Sequence, residues 1–165
     1  MIMKGRVFGA LIPVMVAIVA LSFGRPPAMT KVKCMVQLTN YSGEGAYLAV
    51  SVLDADKKYL RTLYVLGDDL EWYPDFDAWW PFFVSQGKPD IDAITGATIS
   101  GGERSIFVLE IEEDLIDKGN LLRFETAVED QKYHRSDLEL PLSSENLKGS
   151  HNGSGYIRYV RMIAN

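Results

Sequence analysis

Apolar and polar residues alternate along much of the chain with a period of two, which is typical of half-buried β-strands. In segment 31–39 one set of alternate positions is entirely apolar, and it consists of Val32, Cys34, Val36 and Leu38. Similar segments bounded by turn residues predict six further strands, over residues 46–53, 59–66, 104–111, 121–128, 138–142 and 156–163. Seven short strands at this spacing favour an all-β fold, an antiparallel immunoglobulin- or fibronectin-like sandwich.

Segment 67–103, between the third and fourth predicted strands, departs from this alternation. It contains all three tryptophans of the chain, Trp72, Trp79 and Trp80. We predict a short helix near Pro74–Ser85 followed by an exposed loop, because a connection this long is usually functional or has structure of its own. The aromatic residues have two interpretations. They form a plug that caps the open end of the sandwich, or Trp79 or Trp80 provides a platform on which a flat cofactor stacks.

The amino-terminal segment 1–24 has the layout of a secretory signal. Lys4 and Arg6 are followed by 18 uncharged residues, from Val7 to Gly24. As a helix these residues would span about 27 Å, slightly less than the roughly 30 Å hydrocarbon core of a bilayer. We therefore expect a periplasmic or otherwise extracytoplasmic protein, with 7–24 either cleaved or retained as an anchor. A linker at 25–30 and one domain at 31–165 follow.

Composition and charge narrow the possible functions. The chain has 165 residues and a formal net charge of −5. Without its first 24 residues it has 15 basic residues against 22 acidic ones, which argues against nucleic-acid binding because phosphate contacts need clustered Lys and Arg. One cysteine, Cys34, excludes an internal disulfide, and two histidines make a His-rich metal site unexpected. We predict no metal ligands and no catalytic residues.

The candidate chemistry lies in the loop 90–102, where residues 92–100 read Asp-Ala-Ile-Thr-Gly-Ala-Thr-Ile-Ser. The residue types alone describe a small-residue loop with one carboxylate and three hydroxyl groups. Glycine gives such a loop conformational freedom, and a hydroxyl beside Gly-Ala is open to modification because little shields it. Without further information, an ordinary connecting loop is the simpler interpretation.

The same nine residues resemble the flavinylation motif of the FMN-bearing subunits of sodium-pumping NADH:quinone reductases and Rnf-type complexes. That motif is an Asp followed by Ser/Thr-Gly-Ala-Thr, and an ApbE-type flavin transferase moves FMN from FAD onto its threonine oxygen. The resemblance implies that Thr98 accepts FMN as a phosphodiester. The cofactor-binding residues that it implies are Thr98, Asp92, Thr95, Gly96, Ala97 and Ser100.

Most of the chain from residue 31 is also similar to an uncharacterised bacterial family of predicted periplasmic proteins, often encoded near flavin transferases and PepSY-type membrane proteins. The similarity includes 46–50, 54–58, 61–63, the Trp-containing helix, 92–98 and 124–127. It implies a fibronectin-like sandwich that carries covalent FMN. The chain differs from the family after the motif, where Ile99-Ser100-Gly101-Gly102 replaces the usual Pro-Gly.

These resemblances imply an exported, non-catalytic electron carrier whose partners are an ApbE-type flavin transferase and a PepSY-type or cytochrome membrane protein. Asp92 would seat the loop or interact with the metal of the transferase, or it holds only its own turn. Lys88 and Arg104 face the FMN phosphate or are solvated surface charges.

The alternative from another class is an extracytoplasmic binding or adhesion module with an exposed aromatic patch at Trp72–Phe83. A Ser/Thr hydrolase has less support, since no base lies near the loop in sequence.

Overall fold

A computed structural model describes residues 26–87 and 96–164, and most of these residues form β-structure. Within these two ranges there are also one α-helix, α1 (Trp79–Ser85), and two 3₁₀ helices (Leu70–Asp75 and Glu113–Leu115). The eight strands are β1 (Met29–Leu38), β2 (Tyr47–Leu53), β3 (Tyr59–Leu66), β4 (Arg104–Glu112), β5 (Leu121–Ala127), β6 (His134–Pro141), β7 (Lys148–His151) and β8 (Ile157–Ala164). The predicted signal or anchor segment 1–24 lies outside the described residues.

The strands form two antiparallel four-stranded sheets. The first sheet has the order β4-β1-β8-β7, and the second has the order β3-β2-β5-β6. One hydrophobic core, with members from both sheets, lies between them. A mostly β, antiparallel fold is therefore confirmed, while the immunoglobulin- or fibronectin-like class stays a prediction. No helix within the two described ranges is long and apolar enough to cross a membrane.

Alternation correctly identifies the core face of β1. Val32, Cys34, Val36 and Leu38 are at most 1% exposed, and Cys34 lies directly opposite Phe107 of β4. Burial raises the pKa of the Cys34 thiol to about 12, so this cysteine is an apolar core residue and not a reactive one. The strand pattern and the single cysteine are thus explained by the same buried face.

The second sheet is covered on its outer face by aromatic residues, which we call the aromatic layer. It comprises the buried Tyr73, Phe76, Trp79 and Phe83 with the half-buried Trp72 and Trp80. The layer packs on outward-facing residues of the sheet, among them Tyr47, Ala49 and Val65. Because the core covers its other face, all seven residues of β2 are buried.

The structure corrects the sequence predictions for this segment in two respects. The aromatic residues pack on a sheet face, whereas a cap over the end of the sandwich was the expectation. The predicted helix at Pro74–Ser85 is two elements, because a 3₁₀ helix with Asp69 as its N-cap ends at Asp75 before α1 begins at Trp79. Pro81 lies in the first turn of α1, where a missing N–H is tolerated.

Two further elements differ from prediction because polar residues build them. β7 lies within 143–155, which reads as a break because Lys148–His151 has no apolar alternation. β6 begins at His134, four residues before the predicted strand. Asp137 is 2% exposed there, and its carboxylate accepts backbone N–H groups of Ser154, Gly155 and Ile157. A buried carboxylate that is satisfied in this way leaves no hydrophobic signal in the sequence.

Candidate functional site

The structure describes the second half of the sequence motif, residues 96–100, which we call the motif segment. Backbone hydrogen bonds hold it on two sides of Thr98. The Gly67 N–H donates to the Gly96 carbonyl at 2.6 Å, at the end of β3. Ala46 and Ile99 exchange reciprocal N–H···O bonds of 2.8 and 3.1 Å, just before β2. The motif segment therefore crosses the adjacent ends of two neighbouring strands in a fixed position.

The exit of the motif segment is also fixed, so this half of the predicted exposed loop is only partly exposed. The Ile99 side chain is 4% exposed and belongs to the core. The Tyr41 hydroxyl donates to the Ile99 carbonyl at 2.8 Å, and the Gly102 N–H donates to the Thr39 carbonyl at 2.8 Å. An apolar residue directly after the threonine thus anchors the segment, while Ala97 and Ser100 remain exposed.

Thr98 is half-buried, and its side chain lies against a glycine. A Cβ atom placed on Gly45 would be only 2.3 Å from Thr98 Oγ1 and 2.6 Å from Thr98 Cβ. Gly45 does not have the positive φ that favours glycine, so the close approach of Thr98 is what requires glycine here. The Thr98 hydroxyl forms no hydrogen bond with any residue in 26–87 or 96–164. The Thr98 side chain therefore packs against Gly45, while its hydroxyl is not hydrogen-bonded to any of the described residues.

A groove with mixed polar and apolar walls begins beside Gly96, along the line where β3 meets β4. A Cβ on Gly96 would be 3.5 Å from the Tyr64 hydroxyl. The Tyr64 ring stacks on Phe107 with centroids 4.2 Å apart, and burial raises its pKa. The groove has a volume of about 440 Å³, and its lining includes Arg61, Tyr64 and Val108. Its size and its aromatic wall suit a flat heterocycle.

The remaining predicted site residues are only partly accounted for. Asp92, Thr95 and Lys88 lie outside the described residues. Arg104 begins β4 as an exposed residue opposite Gln37, and within the described ranges it forms no hydrogen bond with Thr98. Of the predicted cofactor-binding residues, the structure therefore brings together Gly96, Ala97, Thr98 and Ser100 in one held segment.

A buried polar network that the sequence did not predict lies on the outer face of the second sheet. Glu125 is 0% exposed and accepts hydrogen bonds from Tyr59 Oη, at 2.6 Å, and from Tyr133 Oη. Burial raises the pKa of Glu125 despite these bonds, and it raises the pKa of Tyr59 to about 12. Beside it, Arg123 Nε donates to Glu139 Oε2 at 2.7 Å. The signal in the sequence was the pair of charges, Arg123 and Glu125, inside the largely buried strand Leu121–Ala127.

The aromatic layer offers few exposed rings for a ligand. Trp79 is 0% exposed, and its Nε1 donates to Thr62 Oγ1 at 2.9 Å. Its ring packs on Phe83 with centroids 4.6 Å apart. Trp80 is half-buried, and its ring contacts those of Tyr73, Trp79 and Phe83. Packing within the protein is therefore the role observed for Trp79, and the binding-module alternative has no fully exposed tryptophan to use.

The protein is a small β-rich domain. It consists of two antiparallel sheets, the aromatic layer on the second sheet, and the motif segment that contains Thr98. The family of predicted periplasmic proteins called DUF2271 matches residues 29–159. The chain belongs to this family, and the predicted periplasmic or extracytoplasmic location is thereby confirmed. No curated protein and no solved structure matches the chain.

Proposed function

We propose that this protein is an exported electron carrier that holds FMN through a phosphodiester bond to Thr98. The observation that carries the proposal is the placement of Thr98. Backbone bonds fix the chain at Gly96 and at Ile99, and Gly45 leaves the space that the threonine side chain occupies. The resemblance of residues 92–100 to the flavinylation motif implies that Thr98 is the residue to which FMN is attached. The supporting body is proposed to be a fibronectin-like sandwich, in accord with two antiparallel sheets around one core.

The attachment step needs a second protein. Thr98 Oγ1 attacks the phosphorus on the FMN side of FAD, so that a threonine O–P bond forms, the pyrophosphate bond breaks and AMP leaves. The hydroxyl proton goes to a base. An unactivated threonine hydroxyl is a weak nucleophile, and within the described ranges no side chain hydrogen-bonds to it. The base and the activating metal are therefore assigned to an ApbE-type flavin transferase.

The segment around Thr98 has a clear role in this scheme. Its fixed position spares the transferase from ordering a flexible chain, and ordering a residue's backbone costs roughly 1–2 kcal/mol. Exposed Ala97 and Ser100 on either side leave room for a modifying enzyme to approach. A covalent bond then keeps the cofactor on a periplasmic protein from which free FMN would diffuse away, by the logic of tethered binding.

The groove beside Gly96 supports the fit of an isoalloxazine ring near the attachment point. Tyr64 supplies an aromatic wall at the end close to the motif segment. Further along, the lining includes Glu110 and Arg61, and Arg61 forms an ion pair with Glu112. Bound FMN supplies the one- and two-electron redox chemistry, while the protein provides placement and electrostatic tuning. A PepSY-type or cytochrome membrane protein is proposed as the electron-exchange partner.

The proposal is tested by producing the exported protein with and without an ApbE-type flavin transferase and measuring its intact mass. With the transferase, we expect a gain equal to FMN minus one water and yellow fluorescence that survives denaturation. Thr98→Ala abolishes the gain. Ser150→Ala, which removes an exposed hydroxyl from β7, far from Thr98 in the sequence, retains it. No gain in the wild-type protein, or an undiminished gain in Thr98→Ala, contradicts the proposal.

A further inference from the structure

The outer face of the first sheet carries aliphatic side chains that no element in the described ranges covers. Ile106, Val108 and Ile163 point away from the core and are 56%, 49% and 49% exposed. The strand register joins them into one patch, since Met35 lies opposite Ile106 and Lys33 lies between Val108 and Ile163. We call this surface the open face.

Cationic side chains are interspersed with these aliphatic ones. A shallow groove of about 250 Å³ on the open face is lined by three aliphatic and two basic residues, Met35, Ile106, Ile163, Lys33 and Arg161. Neither Lys33 nor Arg161 has an ion pair in the part of the chain that the structure describes, whereas the neighbouring Lys31 pairs with Glu110 at 3.0 Å. The groove therefore combines an apolar floor with two uncompensated positive charges.

The charge of the open face is opposite to that of the whole chain. The register places five basic residues and two acidic ones on this side of the sheet, and these are Lys31, Lys33, Arg104, Lys148, Arg161, Glu110 and Glu112. The whole chain carries −5. A second copy docked through the same face would bring like charges together. An anionic occupant is complementary to the face, and a copy of this chain is not.

We propose that the open face binds the surface of an anionic phospholipid bilayer. Aliphatic side chains would enter the interfacial region while Lys33 and Arg161 contact headgroup phosphates, a combination that produces peripheral membrane binding. An acidic protein would satisfy the charges, but exposed aliphatic side chains around a shallow groove fit a lipid interface without needing shape complementarity. The location of the patch agrees, because the uncharged segment Val7–Gly24 precedes β1, a central strand of this face, by only a few residues.

The test is flotation of the protein, in the form recovered from the periplasm, with two kinds of vesicle. One contains equal parts of phosphatidylglycerol and phosphatidylcholine, and the other contains phosphatidylcholine alone. We expect binding to the anionic vesicles that is at least tenfold tighter than to the neutral ones and that weakens with added salt. No preference for the anionic vesicles overturns the proposal and leaves an acidic protein as the partner to seek.

Matched variants assign the binding to the open face. Lys33→Gln/Arg161→Gln removes two charges from the face, while Lys58→Gln/Lys118→Gln removes two exposed charges elsewhere. The first variant is expected to lose most of the anionic preference and the second to retain it. Ile106→Ser/Ile163→Ser should weaken binding with little change in thermal stability, since both residues are about half exposed. Equal binding by both charge variants contradicts the proposal, and the test needs no flavin.

Discussion

The two sheets differ most in what lies on their outer faces. The outer face of the second sheet is packed under the aromatic layer, so that Tyr47 and Ala49 of β2 are at most 3% exposed. The outer face of the first sheet leaves Ile106 and Ile163 about half exposed. Similar strands therefore have different environments, because the described part of the segment between β3 and β4 packs on the second sheet. Alternation specifies a strand, but a separate element decides whether its second face is buried.

The charged side chains on the two outer faces differ in the same way, since two on the covered face are buried and the two in the groove of the open face are exposed. Arg123 and Glu125 point outward from β5 and are buried, and both have hydrogen-bonded partners. A buried charge without partners would be costly. Lys33 and Arg161 on the open face are unpaired within the described ranges and keep their hydration instead. The covered face is thus built for stability, whereas the open face retains charges that are available to an external partner.

The largest effect should come from breaking the aromatic layer. Trp79→Ala removes a side chain that is 0% exposed, and we expect it to lower the free energy of unfolding by about 3–5 kcal/mol. Ile106→Ala on the open face should change it by less than about 0.5 kcal/mol. Urea denaturation of both variants measures the difference. Similar losses at the two positions would show that the open face is also packed.

The next test concerns the end of the covered sheet, where the motif segment lies. Gly45→Ala places a Cβ within 2.3 Å of Thr98 Oγ1, and we expect a loss of about 1–3 kcal/mol in the free energy of unfolding. In a Thr98→Gly background the clashing atoms are absent, so the loss should be much smaller. A double-mutant cycle measures this coupling. Additive effects would contradict the close contact between the two residues.

The smallest effect is the pH dependence contributed by Glu125. Burial raises its pKa in the folded protein, so the folded state retains this proton at pH values where the unfolded chain has lost it. The contribution of Glu125 to stability is therefore largest below the unfolded pKa of about 4.3 and falls as the pH rises towards the folded pKa. Glu125→Gln cannot titrate. Its stability relative to wild type should increase from about pH 4 to about pH 7.

Exposed Glu44 provides the control for that measurement. Glu44→Gln makes the same chemical change at an exposed position outside the network, so it measures the pH dependence that any exposed Glu→Gln change produces. Denaturant titrations at each pH give the required free energies. A Glu125→Gln variant that behaves like Glu44→Gln would show that the buried carboxyl has no raised pKa.

The sequence predicted those parts of the fold that hydrophobic alternation encodes. β1 to β5 occur within two residues of their predicted positions, because their core-facing residues are apolar. β7 and the start of β6 were missed because their strand residues are polar, and buried Asp137 is satisfied by a distant turn. The position of the aromatic layer depends on tertiary packing between segments far apart in sequence, which periodicity does not encode.

The candidate site was proposed from a resemblance, and its structure could not be predicted from the sequence. The similarity of residues 92–100 to the flavinylation motif implies Thr98 as the acceptor. The anchoring role of Ile99 and the space left by Gly45 depend on contacts between residues more than 50 positions apart. An apolar residue after the threonine was the one local signal that the segment is held against the core.

The central claim is that Thr98 carries FMN, and peptide-level fragmentation tests it most directly. Protein produced with a flavin transferase is digested, and the flavin-bearing peptide is fragmented by tandem mass spectrometry. We expect the added FMN mass to be localised to Thr98. Localisation to Thr95 or Ser100, or a flavin that separates from the chain on denaturation, would contradict it.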